Sequence, residues 1–180
     1  MKYDPDLHHR RSIRLSNHDY HRPGAYFITL VTHGRERLFG EIVNGDMSLN
    51  ALGGIVEEEW RRTGRVRREI EIDAFVVMPN HAHMIVLVGA HGRAPLHAPT
   101  PEHPPGPFRA PRSLGSLVAG FKSVVTKRIN EACDTPRAPV WQRNYYEHVI
   151  RDETELAHIR QYILDNPPRW KEDPENVSPL

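Results

Sequence analysis

The chain predicts an α+β protein with one antiparallel four-stranded sheet, because two kinds of segment follow one another in a definite order. Short runs rich in β-branched and aromatic residues, typical of strands, are separated by longer stretches with helical apolar spacing. Their order is β-α-β-β-α-β, followed by a C-terminal helix, and 180 residues suffice for a single core. That order is the ferredoxin-like split β-α-β arrangement, in which right-handed crossovers place the first and third strands side by side centrally.

The first half of the chain opens with a polar, basic N-terminal arm over residues 1–22. The β-branched and aromatic residues of 24–33 predict the first strand. Residues 34–48 form a predicted loop, with a short hairpin where Asn44-Gly45 supplies the turn. Asn50 is a good N-cap, so we expect the first helix to start there and to run into an arginine-rich segment.

A tight hairpin is predicted in the middle of the chain. Residues 72–78 and 81–88 are apolar and rich in β-branched types, which favours strands over helices at this length. Pro79-Asn80 supplies the turn signal between them. His81 and His83 therefore open the third strand, which the predicted topology places at the centre of the sheet.

A proline-rich insertion is predicted at residues 94–112, which hold seven of the sixteen prolines and cannot form a packed core. The second helix is expected over about residues 113–132, where an apolar stripe repeats with helical spacing. Residues 140–150 predict the fourth strand.

The last helix is expected to open at Asp152, an N-cap with Glu155 three residues further on. It should stop at Asn166, because Pro167-Pro168 cannot continue it. These elements predict one domain over residues 23–170, followed by a tail over 171–180.

The charge balance excludes a uniformly basic nucleic-acid binder, because 24 Lys and Arg residues face 23 Asp and Glu residues. A phosphate-binding surface must therefore come from local clusters. One cluster lies in the arm and contains Arg10, Arg11 and Arg14; a second spans residues 61–68. A solvated surface explains either cluster equally well.

Cysteine and apolar content narrow the class of protein further. Cys133 is the single cysteine, which excludes an intramolecular disulfide and a thiolate zinc cluster. No apolar run approaches the roughly 20 residues of a membrane span, and the N-terminus lacks the pattern of a signal peptide. We therefore expect a soluble, cytoplasmic protein without a membrane partner; the sequence does not distinguish a monomer from a homodimer.

His81-Ala82-His83 is the most informative motif. Two imidazoles two residues apart on a strand lie on one face and can share a divalent metal. Tyr162 and Asn166, four residues apart on the last helix, also share a face. A metal site beside a tyrosine suits phosphodiester chemistry. With 12 histidines in the chain such a pair arises readily by chance, so its position at the start of an apolar strand carries the signal.

Other assignments of these residues stay open at this point. Tyr162 lies in the apolar stripe of its helix, where a tyrosine is more often part of the core than a nucleophile. Asn166 also fits the ordinary pattern of a helix C-terminus. Tyr145 and Tyr146 on the fourth strand are competing nucleophiles, with one side chain expected to point inward and one outward.

Five segments together resemble the REP-associated tyrosine transposases, which are single-tyrosine transposases with a His-hydrophobic-His (HUH) motif. They span about residues 11–170, apart from the proline-rich insertion. In order they are Arg11-Ser-Ile-Arg-Leu with His21-Arg-Pro-Gly-Ala-Tyr-Phe-Ile-Thr, Met78-Pro-Asn-His-Ala-His83, Gly120-Phe-Lys-Ser123, Trp141-Gln-Arg-Asn-Tyr-Tyr-Glu-His148, and Tyr162-Ile-Leu-Asp-Asn-Pro167 ending in Trp170.

The resemblance implies a function and a role for each site residue. It implies Tyr162 as the catalytic nucleophile and Asn166 as a third metal ligand beside His81 and His83, with Mg²⁺ or Mn²⁺ as the ion. Some relatives carry glutamine where Asn166 stands, and an amide oxygen serves either way. The implied reaction cleaves and rejoins single-stranded or hairpin DNA, with repetitive extragenic palindromes as substrates, through a 5′-phosphotyrosine. The arm arginines are the expected DNA contacts, with Lys122 as a weaker one.

Two functions other than a transposase also fit the sequence. A ferredoxin-like sheet also serves as a nucleic-acid-binding module, although such modules carry exposed aromatics on their central strands, where this chain has His-Ala-His and aliphatic residues. A metal-dependent phosphodiesterase that uses water instead of tyrosine is the other. A covalent protein–DNA adduct separates it from the transposase.

Overall fold

In the computed structural model, residues 24–89 and 113–176 are described. The predicted basic arm, with Arg10, Arg11 and Arg14, lies outside these ranges, as does the proline-rich insertion. Among the described residues the elements are β1 Gly24–Val31, β2 Gly40–Val43, β3 Asp46–Leu49, α1 Ala51–Val66, β4 Ile70–Val77, β5 His81–Val88, α2 Leu114–Cys133, β6 Tyr146–Ile150 and α3 Glu153–Asp165. Single 3₁₀ turns occupy His33–Arg35 and Trp170–Glu172.

The main sheet has the strand order β4-β5-β1-β6, with every neighbouring pair antiparallel. The predicted central pair is confirmed, because β1 lies against β5 along its full length, from Gly24 opposite Val88 to Val31 opposite His81. β5 is buried almost throughout, which explains why its residues after His83 are continuously apolar rather than alternating.

Two apolar layers cover the sheet. On one face, β1 and β5 pack against α1 and α2 in the larger core, which contains Trp60 and Phe121. On the other face, Leu156 and Ile163 of α3 pack on Phe27 and Ile85 in a smaller core. These contacts lay α3 across the face that carries the two histidines.

The predicted helix starts are confirmed in atomic detail. Asn50 accepts hydrogen bonds from the backbone N–H of Leu52 and Gly53, at 2.9 and 3.0 Å. Asp152 accepts one from the backbone N–H of Glu155 at 2.9 Å. Such caps satisfy donors that have no partner inside the helix.

The predicted hairpin at Asn44-Gly45 is also confirmed. It joins β2 to β3, and both turn residues have positive φ, 54° and 90°. Asn-Gly is favoured at such a turn because both residues tolerate this backbone conformation.

The predicted fourth strand is wrong at its start, because β6 begins at Tyr146 rather than at residue 140. Lys122 Nζ donates to the carbonyl oxygens of three consecutive residues, Gln142, Arg143 and Asn144. Successive carbonyls of a strand point in opposite directions, so three that converge on one ammonium group require a bend.

The described helices provide no candidate membrane span, since none combines the necessary length with sufficient apolar character.

Candidate metal and nucleophile site

The two histidines of the His-Ala-His motif lie together at the start of central strand β5. Both side chains are buried, with 0% of His81 and 3% of His83 exposed. Their Nε2 atoms lie 3.0 Å apart. The prediction that both rings lie on one face of the sheet is confirmed. Two nitrogen lone pairs at this distance require a proton or a cation between them.

Burial keeps both rings neutral. It lowers the pKa of His81 from 6.5 to about 4, against smaller raising effects of the Asp173 carboxylate and the Asn166 side chain. Burial, with a smaller contribution from His81, also lowers the pKa of His83 well below 6.5. Neutral imidazole is the form that ligates a metal, so the pair is ready to bind one near pH 7 without releasing protons.

The orientation of His81 follows from Asn80, the turn residue before it. The Asn80 amide nitrogen donates to the carbonyl oxygens of Arg35 and Glu175, at 3.3 and 2.7 Å. The Oδ1 of Asn80 is therefore an acceptor, and it lies 2.9 Å from His81 Nδ1. His81 Nδ1–H must donate to it, which leaves the lone pair on Nε2, the atom that faces His83.

His83 is oriented from the neighbouring strand. Thr29 Oγ1 lies 2.8 Å from His83 Nδ1, and the two residues are direct partners across β1 and β5. A hydroxyl can donate or accept, so Thr29 supports His83 in either neutral tautomer.

Tyr162 lies beside this pair. Its hydroxyl oxygen is 3.2 Å from His83 Nε2, and 41% of the residue remains exposed. Its ring stands edge-on to Phe27, with centroids 6.0 Å apart. Tyr162 therefore borders the apolar stripe of α3 instead of filling the core, and the structure brings it to the histidines as the helix spacing suggested.

The position of α3 has an electrostatic as well as an apolar cause. Arg160 donates to the Asp73 carboxylate on β4, with Nη2 2.6 Å from Oδ2. This bidentate pair and the packing of Leu156 and Ile163 hold the helix against the sheet. Because α3 is held in this way, it keeps Tyr162 next to β5.

The Tyr162 hydroxyl is protonated at rest. Partial burial raises its pKa above 10, and the nearby Asp173 carboxylate raises it further. Both effects disfavour the negatively charged phenolate. A cation beside His81 and His83 would oppose both effects.

Asn166 lies one helical turn after Tyr162, and only 4% of it is exposed. Its amide nitrogen donates to Asp173 Oδ2 at 3.0 Å. Its Oδ1 is buried, and within residues 24–89 and 113–176 no donor satisfies it. A buried acceptor without a donor costs free energy, so this oxygen is suited to a cation.

Asp173 joins the site from a segment that the sequence analysis assigned to the tail. Its Oδ2 lies 3.8 Å from His81 Nε2, and its side chain is 2% exposed. One ligand atom from each of His81, His83 and Asp173 falls within 4.8 Å of the others. Sequence reasoning missed Asp173 because no helix or strand spacing relates it to the motif.

One residue in the sequence, Trp170, could have indicated that the segment carrying Asp173 packs on the domain. Its ring packs 5.9 Å from the His81 ring and is 8% exposed, so it fixes the chain that carries Asp173. An aromatic residue soon after Pro167-Pro168 indicates a segment that returns to the domain.

The donor set fits a divalent ion. Two neutral imidazole nitrogens, an amide oxygen and a carboxylate oxygen suit Mn²⁺ and related ions, and oxygen ligands also suit Mg²⁺. Adjacent ligands at right angles around an ion with ~2.1 Å bonds are separated by about 3.0 Å. The two Nε2 atoms have this separation.

The remaining predicted site residues lie elsewhere. Lys122 is on α2, on the opposite face of the sheet, and its ammonium group holds the 142–144 loop. A DNA contact for Lys122 stays a prediction, as it does for the arm arginines. Tyr145 packs against the larger core, whereas Tyr146 is 52% exposed.

Comparison with known proteins identifies sequence relatives of this chain. An uncharacterised protein from Haemophilus influenzae is 40% identical over 179 residues, which is 96% of this chain and 96% of that protein. The chain belongs to the same family as that protein. No family model matches the sequence.

Two further relatives bear on the predicted resemblance. A second Haemophilus influenzae protein, named "Putative REP-associated tyrosine transposase", is 23% identical over 167 residues, 85% of this chain and 76% of that protein. The structure of a REP-associated tyrosine transposase bound to a REP hairpin matches with a TM-score of 0.54 at 22% identity. The match covers 87% of this chain and 74% of that one, so the predicted fold is confirmed. The chain resembles the REP-associated tyrosine transposases, as its motifs predicted.

Proposed function

We propose that this chain is a DNA transposase that uses a divalent metal and Tyr162 to cleave and rejoin DNA strands. The observation that carries the proposal is the 3.2 Å between the Tyr162 hydroxyl and His83 Nε2, within a buried cluster of metal-ligating groups. A structural tyrosine has no need of such neighbours. The resemblance to the REP-associated tyrosine transposases supports the same conclusion.

The proposed reaction is a transesterification. Tyr162 Oη attacks the phosphorus of a phosphodiester and the bond from phosphorus to the 3′ oxygen breaks. The hydroxyl of Tyr162 loses one proton, and the leaving 3′ oxygen takes one up, so protons balance. The products are a 5′-phosphotyrosine and a 3′-hydroxyl. A second 3′-hydroxyl can reverse the step without ATP, because the phosphotyrosine retains an ester bond to phosphorus.

Each side chain has a distinct role in this proposal. His81, His83, Asn166 and Asp173 would hold Mg²⁺ or Mn²⁺, which supplies charge neutralisation at the non-bridging phosphate oxygens when bound. Asn80 and Thr29 orient the two rings. α3 places Tyr162 for attack, and its ring packs against Phe27. Because the ring is already held in place, it loses little conformational freedom when the reaction occurs.

Hairpin DNA is the proposed substrate. The solved transposase that shares this fold is bound to a REP hairpin. Incubation of the full chain with 3′-end-labelled hairpin DNA and Mn²⁺, followed by denaturing protein electrophoresis, tests the proposal, because the 5′-phosphotyrosine keeps the 3′ fragment on the protein. Label that migrates with the protein is expected; cleavage without such an adduct would instead indicate the hydrolase that uses water.

Asn80→Ala is expected to weaken metal binding about 10- to 100-fold, as loss of a residue that orients a ligand typically does. The reason is that His81 loses the acceptor that fixes its tautomer. Mn²⁺ titration followed by electron paramagnetic resonance measures the change. Asn144→Ala, in an exposed loop, is the matched control. Unchanged Mn²⁺ affinity in Asn80→Ala would remove Asn80 from the site.

Combined replacement of Arg10, Arg11 and Arg14 by alanine is expected to weaken hairpin binding. The motivation is that the chain has a net charge of +1, so phosphate contacts must come from clusters. The dependence of log affinity on log salt should flatten by up to about three units. Filter binding over a salt series measures it, and an unaltered slope would show that the arm does not contact phosphate.

A further inference from the structure

Tyr146 lies on the edge strand β6, in one row with the site. It is the direct partner of Thr29 on β1, and Thr29 is the direct partner of His83 on β5. Directly opposed residues of antiparallel strands project to the same face. With strands about 4.8 Å apart, two strand spacings put the Tyr146 and His83 backbones about 10 Å from each other.

The Tyr146 ring is braced on one side and exposed on the rest. Its centroid lies 6.3 Å from that of Phe27, edge-on. The same Phe27 ring contacts His83 at 5.2 Å and Tyr162 at 6.0 Å. Yet 52% of Tyr146 is exposed, although the residue is large and aromatic. Phe27 therefore holds an exposed aromatic ring in a fixed place beside the site.

We propose that Tyr146 is a stacking platform for a DNA base that neighbours the phosphodiester attacked by Tyr162, an inference that rests on the proposed function. Exposed aromatic rings bind single-stranded nucleic acid by stacking, whatever the base. The backbones of Tyr146 and His83, about 10 Å apart, are close enough for a base on Tyr146 to belong to a nucleotide near the attacked phosphate. Tyr146 is thus a positioning residue that holds the strand in register with Tyr162.

The alternative role for Tyr146 is that of a second nucleophile. Tyr162 has a hydroxyl in hydrogen-bonding distance of His83. Among the described residues, the Tyr146 side chain contacts Phe27 through its ring. The geometry therefore assigns the ring of Tyr146, rather than its hydroxyl, to DNA.

The test compares Tyr146→Ala, Tyr146→Phe and Tyr146→Trp on two DNAs, a bare hairpin and the same hairpin with single-stranded flanks. Tyr146→Ala should bind the flanked hairpin about 10-fold more weakly, within the range for loss of one stacked base, and the bare hairpin as before. Tyr146→Phe and Tyr146→Trp should restore affinity for the flanked DNA. Val66→Ala, an exposed apolar residue at the end of α1, is the matched control.

A fluorescent base locates the contact. With 2-aminopurine placed in turn at each flanking position, the wild type should quench one position near the cleavage point, and Tyr146→Ala should not. Equal quenching by both proteins, or equal loss of affinity for both DNAs, would overturn the inference. So would recovery of the covalent adduct on Tyr146.

This outcome is separable from the proposed function. If the wild type forms an adduct and Tyr146→Ala binds flanked DNA normally, the stacking inference alone fails. If the wild type forms no adduct and the flank-dependent loss persists, the transposase proposal fails while Tyr146 remains a DNA contact.

Discussion

Tyr162→Phe is expected to abolish the covalent protein–DNA adduct while hairpin binding and metal binding persist. The substitution removes one oxygen atom and keeps the ring that packs edge-on against Phe27, so the fold should survive. Without Oη no phosphotyrosine can form at residue 162, so the labelled adduct should be absent. Denaturing electrophoresis with labelled hairpin DNA and Mn²⁺ measures it.

The matched control for this experiment is Tyr145→Phe, because Tyr145 packs against the larger core instead of the site. It should form the adduct as the wild type does. Peptide mapping of the wild-type adduct should place the nucleotide on Tyr162. A normal cleavage rate in Tyr162→Phe, with no adduct on any residue, would favour the phosphodiesterase that uses water.

Loss of either histidine of the pair is expected to abolish both Mn²⁺ binding and cleavage. His81→Gln and His83→Gln are sharper tests than alanine, because both side chains are buried and alanine would leave a cavity in the central strand. The alanine variants should also lose stability, by about 1–3 kcal/mol. Calorimetric titration with Mn²⁺, melting temperature and adduct formation together separate loss of the site from loss of the fold.

His158→Ala provides the control for the histidine variants, because His158 is exposed on α3 and belongs to no metal-ligating cluster of the described residues. It should bind Mn²⁺ and form the adduct normally. Full activity of the folded His81→Gln and His83→Gln variants would refute the metal site.

Tyr146 shows what the spacing of residues along a strand can and cannot predict. Alternation along the predicted fourth strand correctly sends Tyr145 and Tyr146 to opposite sides, but it cannot say which face of the sheet carries the metal site. The sequence therefore left Tyr146 open as a competing nucleophile without placing it relative to the histidines. The register of β6 against β1 puts it in the row of Thr29 and His83.

The sequence by itself determined every feature that depends on neighbouring residues. The Asn50 and Asp152 caps, the Asn44-Gly45 turn, the shared face of His81 and His83 and the end of α3 before Pro167-Pro168 all follow from local backbone geometry, which a few residues specify. The strand order also followed, because short crossovers of fixed hand leave few topologies.

The tertiary structure alone decided the features that join distant segments. Asp173 enters the site, Asn80 fixes the His81 tautomer by donating to the Glu175 carbonyl, and Lys122 bends the chain before β6. Each depends on how a loop or the C-terminal turn packs, a balance of many weak contacts that no local spacing encodes. The sequence predicts that the two histidines lie together, because a strand places both on one face. The Asp173 carboxylate joins them only because the C-terminal segment folds back onto the sheet.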